Sequence, residues 1–288
     1  MGGRSIFSSS ELDSESPEHL LVLAAHAVLR HTKPLVEAYA LYKDDPGDAY
    51  DEASAIIYKS SSDTEDVANA CDLRGLILHQ RGVLLGQLGA SSRRRQKFID
   101  AEQQFAKALT IDAGRFTTHL YRAELLIDEG RFEEAVSESR NTIVGLPWHS
   151  DARSYYTLGN ALYGERSYRN AEKAYRTAIR SNFSDPYVHD ALGKVIVLDK
   201  TRQAEAMKEF TTAIALEPTY AHAYDDRGLL LIEEHNYMDA KNDCAKAIHA
   251  DPRDAVAHAG RGRCYLELKL YKEADSEYAK SLSINATD

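Results

Sequence analysis

The sequence predicts an all-α protein built as an array of stacked helix hairpins. Three observations carry that prediction. Apolar residues recur at helical spacing in paired stretches of about 12 to 14 residues, each pair joined by a short polar turn. The segment AYDDRGLLLIEEHNYMDAKNDCAKAIHADP, beginning at Ala223, realigns on the following chain so that Gly228 falls on Gly262, Tyr237 on Tyr271 and Ala240 on Ala274. A constant period of this length marks a one-dimensional repeat array, in which each unit buries its apolar face on its neighbours. Of 288 residues, 43% are apolar and only 7 are Pro, so there is material for a core and few helix breakers; general disorder is excluded.

The elements follow in chain order. Residues 1–16 are Ser-rich and acidic and are expected to form a disordered tail. The opening Met1-Gly2-Gly3-Arg4-Ser5-Ile6 has Ile6 where a myristoylation signal wants Ser or Thr, so no lipid anchor is expected. Residues 17–65 read as an N-terminal helical cap of three segments: Pro17–His31 opened by Ser16, Pro34–Lys43, and Pro46–Ser60 opened by Asp45. None fits the repeat, and their expected role is to cover the apolar face of the first hairpin.

Residues 66–115 form an irregular, extended hairpin. Phe98, Ala101, Phe105 and Ala108 match the second helix of a unit. Its first helix has two registers: one through Arg74-Gly75, with Ser91-Ser92-Arg93-Arg94-Arg95 in a loop, and one through Leu88-Gly89, which would put Ser92 at an apolar position. The longer hairpin is preferred. Five regular units then occupy 116–149, 152–185, 186–220, 221–254 and 255–288.

Small residues recur at three places in these units. The eighth position holds Ala123, Gly159, Gly193, Gly228 and Gly262; the twentieth holds Ala135, Ala171, Ala206, Ala240 and Ala274; the twenty-seventh holds Thr142, Ala178, Ala213, Ala247 and Ser281. Close approach of two helices explains them, because a larger side chain would force the backbones apart. Phe132, Tyr168, Tyr237 and Tyr271, and Tyr175, Phe210 and Tyr278 in the second helix, fill the complementary holes. Pro147, Pro218 and Pro252 end second helices. An extra residue near Lys200-Thr201-Arg202-Gln203 and two more, Ser150-Asp151, fall in loops, where insertion costs little.

This lattice resembles the tetratricopeptide repeat family. The resemblance implies a right-handed superhelical solenoid of antiparallel helix pairs. It also implies a concave groove, lined by the first helix of each unit, that binds an extended or helical segment of a protein partner. Carried onto this chain, the groove positions include Tyr156, Asn160, Tyr163, Tyr187, Lys194, His222 and Arg263. Tyr156, Tyr163 and Tyr187 fall on neighbouring units, and tyrosine buries much area at low entropic cost, so this patch is the expected interface. One subgroup of the family grips a chaperone's C-terminal carboxylate with Lys, Asn and Arg. Here those places hold Tyr156, Asn160, Ala191, His222 and Asp226, and only Asn160 fits. A frame beginning at 186 fits no better, so no chaperone carboxylate clamp is expected.

Composition bounds the remaining classes. With 35 Lys+Arg against 45 Asp+Glu the formal charge is −10, which argues against nucleic acid. The basic run Arg93-Arg94-Arg95 is a solvated tip or a contact for an anionic partner. Cys71, Cys244 and Cys264 are too scattered for a disulfide framework or a zinc site, and no apolar run is long enough to span a membrane; a soluble cytoplasmic protein is expected. The sequons Asn182-Phe183-Ser184 and Asn285-Ala286-Thr287 then read as chance.

His119, His189 and His258 share the fourth position of their units, alternating with Tyr155 and Tyr224, which suits packing rather than chemistry. No motif for nucleophilic, metal or phosphate chemistry occurs, so the expectation is a non-enzymatic scaffold or adaptor without cofactor or metal. The last unit leaves Leu266, Tyr278 and Leu282 without a following helix, from which self-association or docking of that face is expected. A structural subunit of a larger assembly is therefore the alternative to a peptide-binding adaptor.

Overall fold

The computed structural model describes residues 46–58, 64–144, 152–181 and 185–285. The Ser-rich tail, the segments 17–31 and 34–43, Pro147, Ser150-Asp151, the sequon at Asn182 and the last three residues lie outside them. The described residues form thirteen α-helices: α1 (Pro46–Tyr58), α2 (Thr64–Gln87), α3 (Ser91–Ile111), α4 (Phe116–Asp128), α5 (Phe132–Val144), α6 (Ala152–Gly164), α7 (Tyr168–Arg180), α8 (Pro186–Ile196), α9 (Gln203–Leu216), α10 (Ala221–Glu233), α11 (Tyr237–Ala250), α12 (Ala255–Glu267) and α13 (Tyr271–Asn285). No strand occurs among the described residues, and no helix there is long and apolar enough to cross a membrane. Two compact units divide at Leu125 and Leu126, within α4.

In the first unit α2 and α3 make a long hairpin. A Cβ added to Gly75 would lie 2.3 Å from Phe105, and one on Gly82 would lie 2.4 Å from Phe98, so two glycines admit two buried rings where a regular unit admits one. That geometry selects the register through Arg74-Gly75. The loop is shorter than the sequence suggested. Ser91 to Arg95 belong to the first turns of α3, and the helices are joined by Leu88–Ala90, with Gly89 at φ 70°. The arginines are helical because Arg94 has an apolar surface to cover: its side chain lies over Gly86 and its guanidinium stands 5.0 Å from the Phe98 ring. Asp72 of α2, buried, accepts from Thr118 at 2.7 Å and from Arg115 at 3.1 Å, tying the start of α4 to α2.

In the second unit consecutive helices pair and each pair packs on the next. The main core runs through Leu126, Val136, Leu162, Tyr175, Leu192, Ile196, Phe210 and Leu230. Close approach at the eighth position is direct: an added Cβ would lie 2.4 Å from Tyr175 at Gly159 and 2.5 Å from Phe210 at Gly193. The turn inside a hairpin needs a left-handed residue. Gly130 supplies it in one unit, whereas Arg166, His235 and Lys269 adopt φ of 62–64° at the matching place in three others. In the unit with the extra residue, Asp199 instead caps a 3-10 turn at Lys200–Arg202, which delivers Arg202 to Glu172 in a two-pronged ion pair at 2.6 and 3.1 Å.

The fourth-position histidines are held by carboxylates or carbonyls. His189 Nδ1 stands 2.8 Å from Glu209, His258 Nδ1 donates to Glu277 at 2.7 Å, and His119 Nε2 stands 3.0 Å from the Ala113 carbonyl. Arg261 and Lys280 complete the shell of Glu277. Burial alone would push that carboxyl up, but hydrogen bonds from His258, Arg261 and Lys280 outweigh it and hold Glu277 at about 2, against an ordinary 4.5. A depressed folded value adds stability above pH 4.5 that is lost as the pH falls toward 2. With solvent screening of the partly exposed Lys280 allowed for, the loss is on the order of 2 kcal/mol. Urea titrations between pH 6 and 2 should show this slope in the parent and a flatter one in Glu277→Gln.

Candidate functional site

Asp185 accepts from the Tyr187 amide at 2.8 Å and Pro186 follows it, so α8 starts at a fixed point and Tyr187 leaves its first turn toward α6. Tyr156, Asn160 and Tyr163 lie on α6 at spacings of four and three, hence on one face. Together with Lys194 of α8 they line a pocket of about 450 Å³, walled further by Ile127, Phe132, Tyr175, Asp190, Ala191 and Tyr220. Five of the residues named from sequence thus converge here. His222 and Arg263 do not line this pocket: His222 is exposed on α10 with its ring edge-on to Tyr220 at 5.8 Å, and Arg263 is exposed on α12. Arg93 and Arg95 are exposed on α3 of the first unit.

The rings are arranged in contact. Tyr187 and Tyr220 meet edge-on with ring centres 4.7 Å apart, whereas Tyr156 and Tyr175 at 6.1 Å, and Tyr163 and Tyr168 at 5.6 Å, are tilted against each other. Tyr187 is 44% exposed and Tyr163 38%, so both present ring surface to an incoming group. Tyr175 is buried and donates its hydroxyl to Asn160 Oδ1 at 2.8 Å, which fixes the amide's orientation. Burial raises the pKa of both the Tyr156 and Tyr175 hydroxyls, so both stay protonated.

The floor of the pocket is an ion-pair cluster. Lys194 Nζ stands 2.8 Å from Asp190 and 3.0 Å from Asp226, and Tyr220 donates to Asp190 at 3.2 Å. Burial opposes the charge on Lys194, but the two carboxylates more than offset it and raise its pKa. Burial pushes Asp226 up to about 6, against the pull of Lys194. The pocket therefore offers ring faces and hydroxyls, with its ammonium already held between two carboxylates.

Tyr220 was not legible from the repeat. It sits in the loop just before α10, outside the helix positions from which the groove was read. Its only signal is an aromatic residue immediately preceding a first helix. Tyr175 was read as a core filler, which it is, and its hydroxyl edge is what reaches the pocket.

Family profiles described as tetratricopeptide repeat match residues 152–185 and 226–287. The chain carries tetratricopeptide repeats. The fold is an all-α solenoid of antiparallel helix pairs of this kind, and repeats of this family bind protein partners, generally as non-catalytic scaffolds. Among solved structures, the chain is similar to a protein of the APC/C hetero-tetramer Cut9–Hcn1, with TM-score 0.71 at 17% identity over 93% of this chain. It spans 50% of that chain's length. It is also similar to pilF of Pseudomonas aeruginosa, with TM-score 0.58 at 19% identity over 78% of this chain and 100% of that one. Yeast Tom70 gives TM-score 0.57 at 18% identity over 84% of this chain and 55% of the other. At these identities the likeness is one of fold. No curated protein matches the sequence. The tetratricopeptide repeats make the chain a protein–protein interaction scaffold.

Proposed function

We propose that the scaffold works as an adaptor, capturing an extended or helical protein segment with apolar or aromatic anchors in the tyrosine-lined pocket between α6 and α8. The observation that supports this reading is the convergence of Tyr156, Tyr163 and Tyr187 around one pocket, two of them substantially exposed. Amphipathic rings on rigid helices are efficient binding anchors, since few rotamers are lost on contact. Because Lys194 is held by Asp190 and Asp226, the pocket favours a neutral anchor over a terminal carboxylate, in line with the expectation from sequence that the chain has no chaperone clamp. Arg93 and Arg95 are the proposed contact for an anionic partner.

Tyr163→Ala/Tyr187→Ala should retain the parent's helical content, because both side chains are exposed, and should weaken partner binding by at least about tenfold. Affinity capture with quantitative mass spectrometry, parent against variant, identifies partners that depend on these rings. Partners retained equally by both proteins would overturn the adaptor reading. They would favour a subunit held in a larger assembly through other faces, a role that the exposed Leu266, Tyr271 and Leu282 of the last hairpin would suit.

A further inference from the structure

The polar cluster on the pocket floor has a counterpart one repeat later, with the aspartate kept and its three neighbours changed. In the unit beginning at 186, the second, fifth and ninth positions hold Tyr187, Asp190 and Lys194, and Tyr220 stands just before the next unit; in the unit beginning at 221 the same places hold His222, Asp225, Leu229 and Asp254. Asp190 is buried, and one of its oxygens, Oδ2, is held by both Lys194 and Tyr220, while Oδ1 has no donor among the described residues. Asp225 is as deeply buried, at 5% exposure, but its cation has become Leu229 and its tyrosine donor has become a second carboxylate. Neither carboxylate oxygen of Asp225 has a hydrogen-bond donor among the described residues.

Two facing carboxyl groups with no protein donor between them require a cation or a proton, since an unpaired buried charge is strongly disfavoured. A third group points to the cation. An imidazole nitrogen of His222 and one oxygen each of Asp225 and Asp254 lie within 4.8 Å of one another. Ligands held about 2.1 Å from one tetrahedrally coordinated ion stand about 3.4 Å apart, so binding draws the three atoms closer together, a movement that the exposed His222 side chain is free to share. Asp254 is anchored for this role, because the same carboxylate caps α12 by accepting from the Val256 and Ala257 amides at 2.9 and 3.0 Å. We infer that His222, Asp225 and Asp254 bind a divalent transition-metal ion of the zinc class.

One imidazole with two carboxylates favours zinc, cobalt or manganese over magnesium and calcium, which prefer oxygen alone. Three protein ligands leave a coordination position open toward solvent on the His222 side, through which the ion enters. His222 had been read from sequence as a groove residue, and no metal was expected, because Asp254 stands 29 positions beyond Asp225, at the far end of the unit, and the three match no local motif.

The test uses the full chain without an affinity tag, freed of metal by a chelator and dialysed. Titration with zinc chloride by calorimetry, and with cobalt chloride by visible absorption, should show one equivalent bound. His222→Ala and Asp225→Asn should each weaken binding by at least about tenfold, while His249→Ala, an exposed histidine on α11, should bind like the parent. His222→Ala changes an exposed side chain and keeps the test valid even if Asp225→Asn folds poorly. If the parent takes up no equivalent, the carboxyl pair holds a proton and the inference is overturned. Binding unchanged in His222→Ala would overturn it too, placing the ion on other histidines.

Discussion

Gly193→Ala should destabilise the chain by about 3 kcal/mol, while Gly228→Ala, at the same position of the next repeat, should be neutral or stabilising by up to about 1 kcal/mol. Both glycines sit inside a first helix, where alanine is intrinsically the better residue. What differs is the wall. A methyl group at 193 would lie 2.5 Å from the ring of Phe210, which is 1% exposed and has no room to turn aside. A methyl group at 228 would meet nothing nearer than the Cys244 sulfur at 3.5 Å, an ordinary contact. Urea unfolding of the two variants beside the parent decides the matter, and equal effects would show that the paired ring is not what excludes the methyl.

Lys194→Met should cost about 3 kcal/mol, although the methionine would fit the same space. Removing the ammonium leaves Asp190, 2% exposed, facing Asp226 with only Tyr220 as donor. Breaking such a pair from one side is expensive because the remaining charge stays desolvated. Lys194→Met/Asp190→Asn should recover much of the loss, since the second change removes the orphaned charge, and a thermodynamic cycle over the two positions measures the coupling. Equal stabilities of the single and double variants would show that Lys194 acts by packing its stem rather than by charge. The outcome bears on the site as well, since the cluster forms the floor on which Tyr187 and Tyr220 rest.

The repeat was legible because its physics is local. A hairpin that must bring two helices close needs a small residue at one fixed place and a ring at another. Gly159 with Tyr175, Gly193 with Phe210 and Gly75 with Phe105 announce themselves by spacing alone. The first helix of each unit, and hence the tyrosines that it carries, followed from the same register. Where the sequence reading missed, nonlocal partners were responsible. Ser91 to Arg95 look like a polar tip until Phe98 and Gly86 offer Arg94 a surface to lie on. The left-handed turn residues Arg166, His235 and Lys269 carry no glycine signal, because the packed hairpin imposes the conformation on whatever residue stands there.

By itself, then, the sequence determined the all-α repeat, the hairpin register and the helix faces, since these depend on side-chain size and period along one stretch of chain. Only the tertiary structure decided which polar groups on those faces satisfy one another. Tyr220 reaches Asp190 from a loop 30 positions away, while Asp254, in the matching place, leaves Asp225 without a donor. Such pairing depends on distances of a few ångströms between residues far apart in the chain, and the period of small and apolar residues does not encode them.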